Sequence, residues 1–129
     1  MITIDTNVLV RLITHDDPAQ VAKARATIVV EGAFVQDTVI RETVWVLRRA
    51  YGFSAQQINT ALLLLADTTN IEIQSPDRIV KAVAGVESGL SFEDAFHLSG
   101  CSTVAFATFD EALIKRAPRA FKTPRVFSP

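Results

Sequence analysis

Four acids carry the chemistry open to this chain. Asp5 and Asp110 end short apolar runs, and Glu42 and Asp94 lie in the first turns of amphipathic ones. In an open α/β sheet, ligands bind just outside the carboxyl ends of the strands, so acids delivered there are candidate metal ligands or catalytic groups. Gathering them is costly, since two unit charges roughly 4 Å apart repel by about 4 kcal/mol at an effective dielectric near 20. A folded chain tolerates three or four such groups together only with protons or a cation among them. Carboxylates without a His/Cys cluster suit hard, oxygen-loving ions, so Mg²⁺ or Mn²⁺ rather than zinc. An ion of that kind recruits phosphates and activates water for in-line attack on phosphorus.

Each acid taken singly also has a plainer role. Asp5 or Asn7 suits the start of a helix, Asp110 is a good N-cap, and Asp94 stands three residues after Ser91, close to a capping box. Glu42 falls opposite the apolar stripe of its helix, with Trp45 and Arg49, as a solvated residue would. Those roles account for the acids one at a time. They do not account for three acids delivered to one sheet edge.

The elements that must position them follow from periodicity and caps. Ile2 and Ile4 form a first strand, and an amphipathic helix (Val8, Leu9, Leu12, Ile13) begins at once. His15-Asp16-Asp17-Pro18 is a turn whose Asp16 or Asp17 can cap and whose Pro suits a helix start. A second helix follows over residues 19–30 with Val21, Ala24 and Ile28 on one stripe, closed by Glu31-Gly32. Residues 33–36 form a second strand. Asp37 or Thr38 caps a third helix running to about Tyr51, with Ile40, Val44, Leu47 and Tyr51 on its apolar stripe. Ser54 caps a fourth through Ala66 with Ile58, Leu62 and Leu65 inward. Residues 71–74 form a third strand, Ser75-Pro76 opens a helix through Val86, and Ser91 caps residues 92–99. Residues 103–109 read as a fourth strand, apolar enough to be buried on both faces. Asp110 starts a helix over residues 111–116, and residues 125–127 form an edge strand. The expected fold is a three-layer α/β/α sandwich on a mainly parallel central sheet.

Length and composition agree. At 129 residues with 49% hydrophobic, the expectation is one domain over residues 1–129 with a full core. No linker, low-complexity run or repeat marks a boundary. No export signal or membrane-spanning run is visible, and the single Cys101 cannot form an internal disulfide, so a cytoplasmic setting is expected. The net charge of −1 does not advertise a nucleic-acid binder, but its distribution is uneven. Residues 111–129 carry Lys115, Arg116, Arg119, Lys122 and Arg125 against Glu111 alone, a balance of +4, while the rest of the chain carries −5. An acidic body with a basic end suits a metal in one place and a polyanion beside it.

Four segments carry a family resemblance: IDTNVLVRLITHDDPAQ, VIRETVWVLRRAYGFS, FEDAFHL and TFDEAL. Together, in order and at this spacing, they resemble the PIN-domain ribonucleases, and among those the VapC-type toxins of bacterial toxin–antitoxin pairs. The family acids fall on Asp5, Glu42, Asp94 and Asp110, and the polar companions Thr6, Asn7 and Thr108 match as well. The resemblance implies an α/β/α fold, Mg²⁺ or Mn²⁺ held by Asp5, Asp94 and Asp110, endonucleolytic cleavage of RNA, frequent homodimers and inhibition by a small cognate antitoxin. Only 15 residues separate Asp94 from Asp110, where relatives often have a few more, so the intervening segment should be shortened. His97, three residues after Asp94, is read as packing or hydrogen bonding behind the acid. Arg11 and the Lys115/Arg116 pair stand within two turns of Asp5 and Asp110 and are candidates for holding substrate phosphates.

The alternatives are a phosphate-handling α/β domain and a PIN-like binding module, and specific residues argue against each. A phospho-receiver domain needs a Lys ending a late strand, where this chain has Asp110. A haloacid-dehalogenase-type phosphatase wants D-x-D at the first strand, where this chain has Asp5-Thr6-Asn7. The phosphate-cradling G-x-x-x-x-G-K-[ST] loop is absent. A PIN-like binding module that has lost its metal would not need all four acids.

Overall fold

The computed structural model describes all 129 residues. Its strands are β1 (Ile2–Thr3), β2 (Ala33–Val35), β3 (Ile71–Ile73), β4 (Ala105–Ala107) and β5 (Arg125–Phe127). Seven helices connect them: α1 (Thr6–Thr14), α2 (Pro18–Glu31), α3 (Asp37–Arg49), α4 (Ala55–Ala66), α5 (Pro76–Glu87), α6 (Phe92–Ser99) and α7 (Glu111–Ala120). Every strand pair is parallel, as strands joined through helices must be. The ladders are two: β1-β2-β3, and β4-β5. The chain divides accordingly into two compact units, Met1–Pro76 and Asp77–Pro129.

In the first unit Ile2 pairs with Ala33 and Val35 with Ile73, so the three strands end on one edge. Asp17 caps α2 through Gln20 N, and Pro18 takes a position whose N–H has no helical partner. Gly32 ends α2 at φ +72°, a conformation that disfavours any side chain. Ser54 and Gln57 form a reciprocal capping box on α4. Ile40, Val44 and Leu47 of α3 and Leu62 of α4 are fully buried, confirming their expected stripes. Two details differ from the expectation. α3 starts from Gln36 without a side-chain cap, because the Asp37 carboxylate accepts instead from Ser75 Oγ at 2.9 Å. It also ends at Arg49, leaving Tyr51 outside the helix for another contact.

In the second unit Ser91 caps α6 and Asp110 caps α7, as the sequence suggests. Phe92, Ala95, Phe96 and Leu98 are buried on α6, and Leu113 and Ala117 are the buried positions of α7. The strand expected over residues 103–109 is corrected to β4, three residues long and only part-buried. Thr103 Oγ1 donates to Ala105 O at 2.9 Å, and Cys101 Sγ contacts Thr103, so short polar side chains draw the approach to the strand into a turn.

Candidate functional site

In the first unit β1 stops and Asp5 follows, exposed, with its Oδ1 accepting from Val8 N at 3.2 Å. Asp5 is thus a helix cap, but the cap uses one carboxylate oxygen and leaves the chemistry of the second available. Thr6 is buried at the start of α1, and Asn7 is exposed beside it. A groove of about 450 Å³ runs alongside, with Asp5, Asn7, Arg11, Gln20, Lys23 and Thr27 among its walls. Glu42 is exposed in the second turn of α3. The start of that helix is fixed to the end of β3, where Gln74 Oε1 accepts from Asp37 N at 2.9 Å beside the Ser75 contact. Two adjacent parallel strands therefore deliver Asp5 and the Glu42 helix from the same edge.

Arg11 is committed elsewhere than to substrate. Its Nη1 donates to both oxygens of Asp16 at 3.1 Å and to Tyr51 Oη at 3.1 Å, and its Nε donates to Gln20 Oε1 at 2.9 Å. Tyr51 Oη donates to Asp16 Oδ2, and Thr14 Oγ1 donates to Oδ1 at 3.0 Å. The network ties the turn after α1 to the chain beyond α3, which is why Tyr51 leaves its helix. The Tyr51 hydrogen bond, with help from Thr14 and the Arg11 charge, holds the Asp16 carboxyl below the usual carboxylate range against partial desolvation. A depressed carboxyl contributes stability above its unfolded pKa of about 3.9 and loses it as pH falls through the lower folded value. The contribution therefore disappears only below about pH 4. Tyr51→Phe is expected to raise the Asp16 midpoint toward the ordinary value, read by carboxyl ¹³C NMR titration. An unmoved midpoint would show that Tyr51 does not hold the carboxylate.

In the second unit Asp94 is part-buried in the first turn of α6, where its backbone N donates to Ser91 Oγ at 3.1 Å. Its side chain is not the cap. His97, read as packing or hydrogen bonding behind Asp94, is exposed, so it does not pack. The far end of α6 is clamped: Arg78 of α5 donates through Nε and Nη2 to Phe96 O at 3.0 and 2.7 Å and lies 3.7 Å above the Phe96 ring. Sequence reading missed Arg78. Its signal was a cation in the first turn of a helix, the wrong end for the helix dipole and so in need of another partner.

Asp110 is exposed after β4 and caps α7, its Oδ1 accepting from Leu113 N at 3.1 Å. Thr108 Oγ1 accepts from Asp110 N at 3.0 Å, and Thr108 N donates to Phe127 O at 2.9 Å, so the family's polar companion anchors the acid to the β5 ladder. Lys115 and Arg116 are exposed on α7.

Each unit thus presents two of the expected acids, Asp5 and Glu42 in the first, Asp94 and Asp110 in the second. Neither unit by itself gathers three or more His, Cys, Asp or Glu side chains around one ion position. The donors are all carboxylate oxygens, which fits a hard divalent cation and not zinc. The PIN-domain family model matches residues 2–119. The chain belongs to the PIN-domain family. A PIN domain carries the three-layer α/β/α fold with parallel strands, and PIN domains are generally nucleases that use divalent metals. No curated protein and no solved structure matches the chain. No helix of this PIN domain is long and apolar enough to cross a membrane.

Proposed function

We propose that this PIN domain is a Mg²⁺- or Mn²⁺-dependent endoribonuclease, the toxin of a VapC-type toxin–antitoxin pair acting in the cytoplasm. The observation that carries the reading is the position of the four acids. Asp5 and Asp110 stand just beyond the ends of the parallel strands β1 and β4, Glu42 lies in the second turn of the helix that follows β2, and Asp94 lies in the first turn of α6, which follows α5. Three of the four acids are exposed and Asp94 is part-buried, so none is sealed away from a phosphate.

Asp5, Asp94 and Asp110 would hold the ion, and Glu42 would complete its shell or orient the attacking water. A bound divalent ion supplies Lewis acidity, making water a competent nucleophile at neutral pH and neutralising charge on the phosphate. The protein's part is to hold its carboxylates in place, to accept a proton from water at a carboxylate, and to release an RNA fragment with a 5′-phosphate. Lys115 and Arg116 are free of the ties that occupy Arg11, and they are the better candidates to meet the substrate backbone.

The test is incubation of purified protein with structured RNAs in Mg²⁺ or Mn²⁺ and then in EDTA. Cleavage with the ion and none with the chelator is expected. Metal-independent cleavage would sink the mechanism, and no cleavage of any RNA would favour a binding module. The toxin role has its own consequence. Expression without an antitoxin should arrest growth and degrade RNA, and co-expression of the cognate antitoxin should restore both. An antitoxin Arg entering a carboxylate cluster is the natural inhibitor. Self-association as a homodimer is read by sedimentation.

A further inference from the structure

Eight of the ten aromatic side chains are buried or part-buried. The other two are Trp45, 54% exposed, and Phe109, 82% exposed. Each stands next to a proposed catalytic acid within its own unit: Trp45 one helical turn after Glu42, and Phe109 immediately before Asp110. Large aromatics left in water are the informative exceptions to burial.

The surroundings of Trp45 identify what it meets. On α3 its neighbours one turn away on either side are Arg41, Glu42, Arg48 and Arg49, all charged and all exposed. The Arg49 guanidinium lies 5.7 Å from the Trp45 ring centroid. Trp and Arg are both common at protein interfaces, but there they surround a core depleted of charge, whereas every neighbour of Trp45 one turn away is charged and exposed. An aromatic face interleaved with arginines is instead the arrangement that binds single-stranded nucleic acid, where bases stack on rings and cations follow the phosphates. Phe109 lies on the connection into α7, a helix on which Lys115 and Arg116 are exposed.

Resting on the ribonuclease reading, we infer that Trp45 and Phe109 are base-stacking platforms that seat unpaired nucleotides beside Glu42 and Asp110. Such platforms need unpaired bases, since bases inside a duplex already stack on one another and offer no free face. Stacking is indifferent to base identity, so sequence preference would arise elsewhere.

Trp45 is the only tryptophan, so its emission reports this platform alone. A fluorescein-labelled short oligoadenylate, titrated in EDTA to prevent cleavage, should bind by anisotropy and quench Trp45 emission, whereas the same strand in a duplex should not. Phe109→Leu keeps an apolar side chain and removes the ring. It should weaken oligonucleotide binding about 5- to 100-fold and raise KM for unpaired RNA in Mn²⁺ with a smaller change in kcat. Trp45→Leu should do the same. Binding without a change in emission, no binding at all, or KM values in both variants equal to the parent's would overturn the proposal. Emission that follows the protein's own concentration and ignores the oligonucleotide would also overturn it, making the face a contact between copies. The ribonuclease reading is judged separately: parent cleavage of structured RNA in Mn²⁺ keeps it even where stacking fails, and it falls if no RNA is cut.

Discussion

Asp110→Asn is expected to abolish RNA cleavage while leaving the fold intact. The residue caps α7 through Oδ1 to Leu113 N, and Asn supplies the same oxygen and caps helices about as well. What the substitution removes is one negative charge from the proposed ion shell. Losing several kcal/mol of Lewis-acid stabilisation corresponds to a rate loss on the order of a hundredfold or more. Asp94→Asn should behave alike, and more cleanly, because the Asp94 side chain does no capping. Asp5→Asn keeps the Val8 cap and should also lose activity. Circular dichroism and melting temperatures near the parent's, with cleavage gone, is the expected pattern. Cleavage at parental rates in all three variants would mean that helix caps have been mistaken for a metal site.

The second large effect is expected at a glycine. Gly100 follows α6 at φ −97°, ψ 0°, a conformation that alanine adopts freely, so the backbone does not require glycine there. Space does: a Cβ at Gly100 would overlap the Arg78 guanidinium. Gly100→Ala should push Arg78 off Phe96 O and off the Phe96 ring, costing about 1.5–3 kcal/mol for the charge-assisted hydrogen bonds. In an Arg78→Ala background the same change should be neutral or slightly stabilising, because alanine then only restricts the unfolded chain. Denaturant unfolding of the four proteins forms a double-mutant cycle. Additive effects would show that Arg78 is not what Gly100 accommodates.

Much of this was legible from local signals. Ser54 with Gln57, Ser91, Asp110 and Asp17-Pro18 all mark helix starts that the structure keeps, because a cap is a contact over three residues and sequence shows it directly. The apolar stripes of α3 and α4 held for the same reason. Contacts between distant residues were not legible. Nothing in the sequence pairs Asp16 with Tyr51 or Arg78 with Phe96, and those contacts decide where α3 ends and how α6 is clamped. The fourth strand is shorter than its apolar run because Thr103 and Cys101 turn the chain locally, which apolar content alone does not reveal. The acids were legible as a set through their motifs. The helical stripe already puts Trp45 on the solvated face with Glu42, whereas the exposure of Phe109, inside an apolar run, required the folded chain.

Mn²⁺ binding tests the central claim most directly. Titrating the metal-free protein with Mn²⁺ and following the free ion by electron paramagnetic resonance should show saturable binding by the parent. Asp5→Asn, Asp94→Asn and Asp110→Asn should each weaken it markedly, while Asp16→Asn, which alters an acid outside the set, should leave it unchanged. Equal Mn²⁺ affinity in the parent and in all three acid variants would contradict the assignment of these carboxylates to a metal-dependent nuclease site.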